Sequence, residues 1–600
     1  MKKLISEQIV DYLVKKETKH VFGLCGHTVI GMLDAIEGSK LNFVSVRHEQ
    51  VAAHAADGYA RVTKKASVLL THLGPGLTNA ATGVANAALD SIPMVVIAGD
   101  VPSYYYGKHP HQEIYHHNDG SQYEIYKPFV KRAWRVDNPE AIGDILDRAF
   151  RLAESGRPGP VLVSVPMDIF SKEIDTKHFE RAMNSITDVS KPSLDKEIAK
   201  KVARMLVDAK NPGIHAGGGV LLSQATEELS ELAELLDLPV TRTLMGQGCI
   251  PDSHPLQVGM TGFWGTEFVH SITTGRDLLL GIGSRFAEAD SSSWYEGVTF
   301  DIPNKTKLIQ IDIDPVEIGR NYPVILGSMA DAKLALRAII DEVRAIKPEG
   351  VDRPELREAI ASAKKKFKEE NAPICEDMRF PMTPQKILTD VREVLPTDGI
   401  ILTDVGWNKN GMGQQFDISI PGTIHHPSGL ATMGFGPAAV LGAKLGDPSK
   451  VAITLVGDGG FGTNPSVMAT AVEQGIPVIW VVMNNNCFGT IAGLTKGHYD
   501  HTFGTQFTTA SGERYETDFA QIAKGYGVKS KKITSTEEFK VVLEEAINCG
   551  EPYLIDVPME NIPVPTDGVW NINDIYTPKE NVKGGVHYGG EVFKSKHKTT

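Results

Sequence analysis

The 600-residue sequence has few cysteines, no long hydrophobic run and no excess of positive charge. Its five cysteines are scattered without metal-ligand spacing, which excludes a disulfide scaffold and suits a reducing compartment, so we expect a cytoplasmic location. No apolar run approaches the roughly 20 residues of a membrane-spanning helix, and we expect no membrane partner. The formal net charge of −13 argues against a nucleic-acid partner.

Short apolar runs alternate with helical patterns along the chain, which predicts an α/β fold with parallel sheets. We predict three doubly wound parallel-sheet domains at 1–180, 195–345 and 380–560, followed by a tail or lid at 561–600. The stretch 175–194 is expected to be a polar linker. The predicted strands are residues 20–26, 42–47, 67–74, 92–100, 159–168, 212–219, 239–243, 277–284, 307–314, 399–406, 451–460, 476–485 and 552–559.

Polar residues follow two neighbouring predicted strands of the third domain. A GDGG turn at 457–460 ends one strand, and the pair Asn484–Asn485 ends the next. The 24 residues between Gly459 and Asn484 fit one helix and one strand, which places both motifs at one edge of a parallel sheet, where small ligands bind. Asp458 and Asn485 offer oxygen ligands for Mg²⁺, and the glycines let the backbone approach a diphosphate.

Each motif alone is commoner as a plain turn between a strand and a helix, so the prediction depends on their pairing. Together they resemble the site of the thiamine diphosphate (ThDP)-dependent enzymes. The backbone carbonyl of Cys487 is a candidate third metal ligand beside Asp458 and Asn485.

ThDP chemistry also needs a carboxyl group against the aminopyrimidine ring. Glu49 lies where a predicted strand gives way to an alanine-rich helix. Taken alone, such an acid is more often a helix cap or an ion-pair partner, here of Arg47 or His48. However, the run RHEQVAAHAADGYAR resembles the glutamate motif of the acetohydroxyacid (acetolactate) synthase branch of the family, which implies that Glu49 is catalytic.

The resemblance extends over nearly the whole chain. Residues 71–93 resemble the pyrimidine-domain core, PHQE places Gln112 near the reacting carbon, and Met433 falls where the family supports the bent cofactor. In the diphosphate loop the family has glutamine and histidine, whereas this chain has Trp407 and Asn408. The resemblance assigns to the cofactor site Gly26, Gly74, Asn79, Gly406, Trp407, Asn408, Met433, Gly457, Asp458, Gly459, Gly460, Asn485, Phe488 and Gly489.

The middle domain resembles the flavin-binding domain of acetohydroxyacid synthases, in which flavin has no redox role in the main reaction. Glycine-rich turns also suit ADP, or a vestigial unit without any nucleotide, so FAD is one of three alternatives. The candidate FAD residues are Gly217, Gly218, Thr243, Leu244, Met245, Arg285 and Asp312.

Two further positions depart from the family pattern. Ala289 replaces the arginine that binds the acceptor, and Leu494 replaces a tryptophan. Alanine cannot grip a carboxylate with two hydrogen bonds as arginine does, which puts a second 2-oxo acid as acceptor in doubt. Trp294 and Tyr295 would instead make the pocket more aromatic.

The glutamine loop carries a cluster of histidines, which are either polar loop residues or proton donors. The latter is the role that paired histidines have in related decarboxylases. The candidates for this role are His111, His116 and His117.

The resemblance implies an acetolactate synthase-like carboligase, which decarboxylates a 2-oxo acid such as pyruvate and transfers the two-carbon unit to a carbonyl acceptor. One alternative is a ThDP-dependent lyase, hydrolase or decarboxylase that acts on a 1,2-diketone or another 2-oxo compound. Another is a flavin-dependent oxidase of the pyruvate oxidase type. In the family the cofactor lies between the first domain of one subunit and the third domain of another, which implies a homodimer or homotetramer.

Overall fold

The computed structural model describes residues 1–114, 121–185 and 189–562. The first part of the chain contains β1 (Lys2–Leu4), β2 (His20–Gly23), β3 (Asn42–Ser45), β4 (Ser67–Thr71), β5 (Met94–Asp100), β6 (Ala133–Arg135), β7 (Pro160–Pro166) and β8 (Glu173–Asp175). Its helices are α1 (Ile5–Lys15), α2 (Ile30–Ile36), α3 (Glu49–Thr63), α4 (Gly74–Leu89), α5 (Gln122–Tyr126), α6 (Ile142–Glu154), α7 (Met167–Phe170) and α8 (Lys177–Met183). The parallel sheet has the order β3-β2-β4-β5-β7-β6, while β1 and β8 form a separate antiparallel pair.

The middle part forms a second parallel sheet. Its strands are β9 (Pro212–Ala216), β10 (Val240–Arg242), β11 (Gln257–Met260), β12 (Leu278–Ile282), β13 (Lys307–Asp312) and β14 (Leu326–Met329). Its helices are α9 (Lys196–Asp208), α10 (Gly218–Leu222), α11 (Thr226–Leu236), α12 (Glu267–Thr274) and α13 (Ala332–Ile346), and α14 (Pro354–Cys375) leads onward. The strand order β11-β10-β9-β12-β13-β14 is that of a dinucleotide-binding fold.

The last part forms a third parallel sheet. Its strands are β15 (Ile400–Thr403), β16 (Ile424–His425), β17 (Ala452–Gly457), β18 (Ile479–Asn484), β19 (Lys529–Lys532) and β20 (Tyr553–Pro558). Its helices are α15 (Pro384–Val394), α16 (Trp407–Gln415), α17 (Phe435–Gly446), α18 (Asp458–Phe461), α19 (Val467–Glu473), α20 (Gly489–Tyr499), α21 (Phe519–Gly525) and α22 (Thr536–Asn548). The order β16-β15-β17-β18-β20-β19 repeats the topology of the first sheet.

Short 3₁₀ turns complete the described elements: His27–Val29, Ser103–Tyr105, Pro139–Ala141, Gly262–Trp264, Glu288–Asp290 and Ser292–Trp294. The three-sheet α/β fold predicted from the sequence is confirmed, and every predicted strand is present. The expectation of a plain linker at 175–194 is wrong in part, because α8 lies inside it. No helix in the described ranges has the length and apolar character needed to cross a membrane.

The first and third sheets meet through the helices α3 and α17, which pack along their length. Glycine makes this approach possible. A Cβ at Gly58 would lie 2.0 Å from the carbonyl oxygen of Ala439, and one at Gly442 would lie 1.7 Å from that of Ala55. Both distances are far inside van der Waals contact, so a larger residue would push the helices apart. The start of α3, which carries Glu49, is thereby held against the third sheet.

Candidate active site

Each sheet has one point at which successive connections leave in opposite directions, and ligands bind in the crevice that opens there. In the first sheet this point lies between β2 and β4, in the third between β15 and β17, and in the middle between β9 and β12. Predicted glycines follow these strands directly or within a few residues: Gly26 and Gly74 in the first sheet, Gly406 and Gly460 in the third, and Gly217 in the middle one. The topology therefore places these glycines at the crevices of the three sheets.

Glu49 is the first residue of α3 and is only 4% exposed. Its Oε2 atom accepts a hydrogen bond of 3.0 Å from the Nδ2 atom of Asn79 on α4. The capping role falls to His48, whose Nδ1 accepts from the backbone amide of Gln50, and Arg47 pairs with Glu473 instead. Glu49 is thus neither the cap nor the partner of Arg47, and its carboxyl group faces the crevice next to Asn79.

A hydrogen-bonded chain of side chains lies beside Glu49. The Oγ1 atom of Thr28 lies 2.7 Å from Nδ1 of His72, and Nε2 of His72 lies 2.9 Å from Oε1 of Gln112. Because an amide oxygen only accepts, His72 donates from Nε2 and accepts from the Thr28 hydroxyl at Nδ1. A Cβ built on Gly76 would lie 3.1 Å from the His72 side chain and 3.5 Å from Oε1 of Glu49, so this glycine separates the two groups.

Two further imidazoles extend this chain. The ring of His27 lies edge-on to that of His72 with centroids 4.6 Å apart, and stacks on that of His111 at 5.9 Å. Partial burial and the neighbouring histidines lower the pKa of His27, which favours its neutral form near pH 7. Of these groups, the sequence predicted Gln112 and His111 but missed His27, Thr28 and His72.

Ion pairs and a hydrogen bond from neighbouring segments fix the loop that carries Gln112. Arg135 pairs with the buried carboxylate of Asp100 at 2.9 Å and reaches Glu113 at 3.5 Å. The backbone amide of Ile114 donates to the side chain of Gln122 at 3.0 Å. These contacts hold residues on both sides of Gln112, whose own backbone has a positive φ of 63°. The candidates His116 and His117 lie outside the described residues.

Asp458 begins α18 at the end of β17 and is 4% exposed. Its Oδ2 atom is buried without a hydrogen-bond partner in the described structure. Burial raises the pKa of this carboxyl to about 6, since the charged form lacks water and a compensating cation. Because a bound divalent cation would supply that charge, the Asp458 carboxylate fits a metal ligand.

Asn485 follows β18, which pairs directly with β17, so the two candidate ligands follow the same ends of neighbouring strands. The Oδ1 atom of Asn485 accepts from the backbone amide of Cys487 at 3.2 Å. Among the described residues no three His, Cys, Asp or Glu side chains cluster as metal ligands. A metal here would rely on one carboxylate, one amide and a backbone carbonyl, which is an oxygen set typical of Mg²⁺.

Two glycines of the turn after β17 make room for neighbouring side chains. A Cβ at Gly460 would lie 2.1 Å from Oδ2 of Asp404, and one at Gly459 would lie 2.7 Å from the ring of Phe488. Asp404, which the sequence reasoning did not select, follows β15 and is fully buried. Its carboxylate accepts from the backbone amides of Gly434 at 3.2 Å and Gly436 at 3.0 Å.

These bonds shape the turn that carries Met433. Gly434 has φ of 88°, which favours glycine, and Met433 projects from the turn with 38% of its surface exposed. A methionine in the core would be fully covered, so Met433 is not an ordinary core side chain. The turn offers a flexible, apolar surface held by a buried carboxylate.

The loop after β15 carries the two departures from the expected glutamine and histidine. Gly406 has φ of 103°, which explains the need for glycine there. The buried amide of Asn408 donates back to the carbonyl of Val405 at 3.1 Å. The indole of Trp407 reaches Asn561 at 2.7 Å. Both side chains therefore bond within the protein.

A cavity of about 1300 Å³ lies beyond the ends of β9 and β12, and residues of the first and third domains, such as Arg157 and Lys409, complete its lining. It is lined by all the residues predicted for a flavin: Gly217, Gly218, Thr243, Leu244, Met245, Arg285 and Asp312. A Cβ at Gly217 would lie 2.1 Å from the carbonyl oxygen of Gly283, so the two strand ends approach as closely as their backbones allow. The cavity exceeds the usual range of small-ligand pockets and has room for a dinucleotide.

Ala289 and Trp294 line the same cavity rather than the crevice around Glu49. The Trp294 indole donates to the carbonyl of Phe286 at 2.9 Å, and Tyr295 is buried. Asp290 and Lys409 also line the cavity, where Lys409 is buried and Asp290 is half-buried. Burial raises the pKa of Asp290 to about 6 and lowers that of Lys409. Leu494 lies on α20, after the candidate ligands Asn485 and Cys487 in the chain.

Comparison with known proteins covers the three sheets in turn. Residues 4–122, 199–339 and 404–557 match the N-terminal TPP binding, central and C-terminal TPP binding domains of the thiamine pyrophosphate enzymes. The chain is 36% identical over 571 residues to a "Probable acetolactate synthase large subunit" of Methanococcus aeolicus, with 92% of each chain covered.

It is also 36% identical over 577 residues to the protein of that name from Methanocaldococcus jannaschii, covering 94% of this chain and 93% of the other. It is 31% identical over 560 residues to "Acetolactate synthase isozyme 1 large subunit" of Escherichia coli, covering 92% and 94%. Such identity over almost the full length exceeds what a shared fold requires. The chain is therefore a thiamine diphosphate-dependent enzyme of the thiamine pyrophosphate enzyme family, in the acetolactate synthase branch.

Proposed function

We propose that this enzyme decarboxylates a 2-oxo acid such as pyruvate and transfers the two-carbon unit to a carbonyl acceptor. The relatives named acetolactate synthase support this reaction. The observation that carries it is the buried carboxyl of Glu49, held by Asn79 in the crevice of the first sheet. When bound, thiamine diphosphate supplies the electron sink for loss of CO₂ and for carbon–carbon bond formation.

The residues of this chain bind and orient that cofactor. Glu49 would hold a proton against the pyrimidine ring, and Met433 would support the bend between the two rings. Asp458, Asn485 and the backbone carbonyl of Cys487 would hold a Mg²⁺ ion at the diphosphate. The unpartnered Oδ2 atom of Asp458 supports the metal, because a buried carboxylate oxygen without a donor needs a cation.

A second copy of the chain completes the proposed site. In one chain the mouth beside Glu49 is exposed at Pro75, Thr78 and Asn79, and Met433 is exposed on the third domain. Catalysis that depends on excluding water needs both surfaces covered. A two-fold dimer, alone or within a tetramer, would place the first domain of one protomer against the third domain of its partner.

FAD is the proposed occupant of the middle cavity, with ADP or no ligand as the alternatives. The cavity volume and the predicted residues that line it support a dinucleotide. The test is the absorption spectrum of the purified protein and mass analysis of the ligand released on denaturation. A flavin band supports FAD, ADP in the supernatant supports the second alternative, and neither supports the third.

A lyase, hydrolase or decarboxylase acting on a 1,2-diketone is the second candidate function. The observation that favours it is the group of imidazoles of His27, His72 and His111, which offer proton donors and acceptors in the crevice beside Glu49. Such groups suit protonation of an intermediate in place of its transfer to a second carbonyl compound.

Product analysis separates the candidates. The enzyme, supplied with ThDP and Mg²⁺, is given pyruvate alone, pyruvate with an aldehyde, and a cyclic 1,2-diketone. We expect acetolactate or a hydroxyketone as the main product. Ring-opened acid from the diketone would establish the second function. Acetate or acetyl phosphate formed with reduction of bound flavin would establish an oxidase and overturn the proposal.

A further inference from the structure

The side chains of Trp407, Asn561 and the proposed metal ligand Asn485 meet around Gly489 and form a hydrogen-bonded hub. Asn561 contacts both of the others. Its Oδ1 atom accepts from the indole Nε1 of Trp407 at 2.7 Å and from Nδ2 of Asn485 at 3.3 Å. Its own Nδ2 donates to the carbonyl oxygen of Gly489 at 3.3 Å. One amide thereby joins three segments of the third domain.

The sheet explains why Asn561 reaches this point. β20 pairs in parallel with β18, and Pro558 lies opposite Asn484 in register. Beyond the strand, the amide of Met559 donates to the carbonyl of Asn484 at 2.8 Å, and Glu560 donates to the carbonyl of Met382 at 2.9 Å. The backbone is therefore fixed up to the residue before Asn561, so its side chain is delivered beside Asn485.

The space at the hub is filled. A Cβ built on Gly489 would lie 2.4 Å from Oδ1 of Asn561, 2.6 Å from Nδ2 of Asn485 and 3.1 Å from Nε1 of Trp407. The two contacts with the asparagines are shorter than real Cβ atoms show, so a larger residue at this position would push the three groups apart. Gly489 is thus needed for these three side chains to pack together, whether or not a diphosphate is bound.

The hub matters because the two ends of an amide side chain bind different partners. A carboxamide can present either its oxygen or its NH₂ group to a metal, and only the oxygen is a ligand for Mg²⁺. Asn561 accepts from the NH₂ group of Asn485, and the backbone amide of Cys487 donates to its Oδ1 atom, so the two contacts together fix which end of that amide remains for the metal. Outer partners of this kind orient metal ligands and raise affinity.

We infer that Asn561 is a positioning residue for the proposed metal ligand Asn485, and that Trp407 acts through Asn561. The inference rests on the proposed magnesium site. It also gives a role to Trp407, the departure from the family's diphosphate loop. The indole does not need to touch the diphosphate, because its N–H group holds the oxygen that in turn holds Asn485.

The test is calorimetric titration of Mg²⁺ into each protein with ThDP at saturation. Asn561→Ala is expected to raise the Kd for Mg²⁺ by about 10- to 100-fold, the usual effect of losing an outer-shell partner. Trp407→Phe keeps the ring but removes the donor, and is expected to give a smaller rise. The double variant should match Asn561→Ala alone, because the tryptophan has no other route to the metal.

Asn548→Ala is the matched control, since this exposed asparagine of the same domain also donates to a backbone carbonyl, that of Glu544 at 2.8 Å. It should leave the Kd unchanged. A folded Asn561→Ala protein whose Kd stays within about twofold of wild type would overturn the inference, whether or not its melting temperature falls. Additive effects of the two substitutions would overturn the role of Trp407. If the wild-type protein itself binds no Mg²⁺ with ThDP, the proposed metal site fails first.

Discussion

His72 donates a hydrogen bond of 2.9 Å to Gln112 and so joins the end of β4 to the loop whose glutamine the sequence selected. Since Oε1 of the glutamine is occupied by this bond, its NH₂ group is the part left to face a bound substrate. On the other side of the His72 ring, the Oγ1 atom of Thr28 lies 2.7 Å from Nδ1. Gln112 is thus oriented by a relay that begins at the neighbouring strand β2.

Substituting His72 should disturb the use of substrate more than the binding of cofactor. For His72→Ala we expect kcat/KM to fall about tenfold or more, because Gln112 loses its orienting donor, a loss of about 1–3 kcal/mol. The Kd for ThDP should stay unchanged. Steady-state kinetics with pyruvate and calorimetry with ThDP measure both. His178→Ala, a histidine on α8, is the control, and equal losses in both variants would refute the role of His72.

Glu49→Gln should abolish turnover while the protein still binds ThDP. The amide keeps the shape of the side chain and its contact with Asn79, but it has no proton to exchange with the pyrimidine ring. The loss expected for a group that transfers a proton is about 100-fold or more. Turnover and ThDP binding are measured on the same preparation, and near-normal activity in this variant would remove Glu49 from the mechanism.

Asp404→Asn should weaken the turn that supports Met433. The buried carboxylate accepts from the amides of Gly434 and Gly436, and the NH₂ group of an asparagine would face one of them instead. The expected cost is about 1–3 kcal/mol, seen as a higher Kd for ThDP and a lower melting temperature. Asp398→Asn, at an exposed site just before β15, should change neither. An unchanged Kd in Asp404→Asn would show that the turn holds without the charge.

Acid should destabilise the protein through its buried histidines. Burial lowers the pKa of His54 and His215 to about 3 in the folded chain, against an ordinary value of 6.5. Between these values the unfolded chain binds more protons than the folded one, so stability falls as pH falls from about 6.5 toward 3. Each histidine contributes about 1.4 kcal/mol per pH unit in this window.

This pH dependence is measured as the melting temperature between neutral and acidic pH. His215→Asn keeps a polar partner for Thr241, which lies 3.2 Å from the ring, and removes the titrating group. We expect a shallower loss of stability on acidification in this variant than in wild type. Parallel curves for the two proteins would show that His215 does not take up a proton on unfolding.

The sequence predicted the interior strands of each sheet and missed every edge strand except β3. The predicted interior strands are mostly buried apolar runs. The missed edge strands β6, β11, β14, β16 and β19 are short and have a partner on one side only, so no apolar run is needed there. The antiparallel pair β1 and β8, three residues each, was also missed. The third domain's metal motif was predictable because its spacing alone puts both parts on adjacent strands.

The missed site residues share a different cause. His27 and His72 follow strands that are neighbours only because of the strand order, which the sequence does not state. Asn561 lies beyond the last strand, with no motif around it, and meets Asn485 only through the pairing of β18 with β20. Single polar residues of this kind become visible when distant segments meet in the folded chain.

The proposal that one site is shared between two protomers is tested most directly by mixing two inactive variants. Glu49→Gln and Asp458→Asn proteins are coexpressed with different tags, and the mixed species is purified beside each parent. If Glu49 of one protomer serves the metal site of its partner, each mixed dimer holds one intact site of two, and the purified mixed species shows about half of wild-type activity. If both residues serve the same chain's site, no mixed dimer contains an intact site and activity stays at the level of the parents, which would contradict the account.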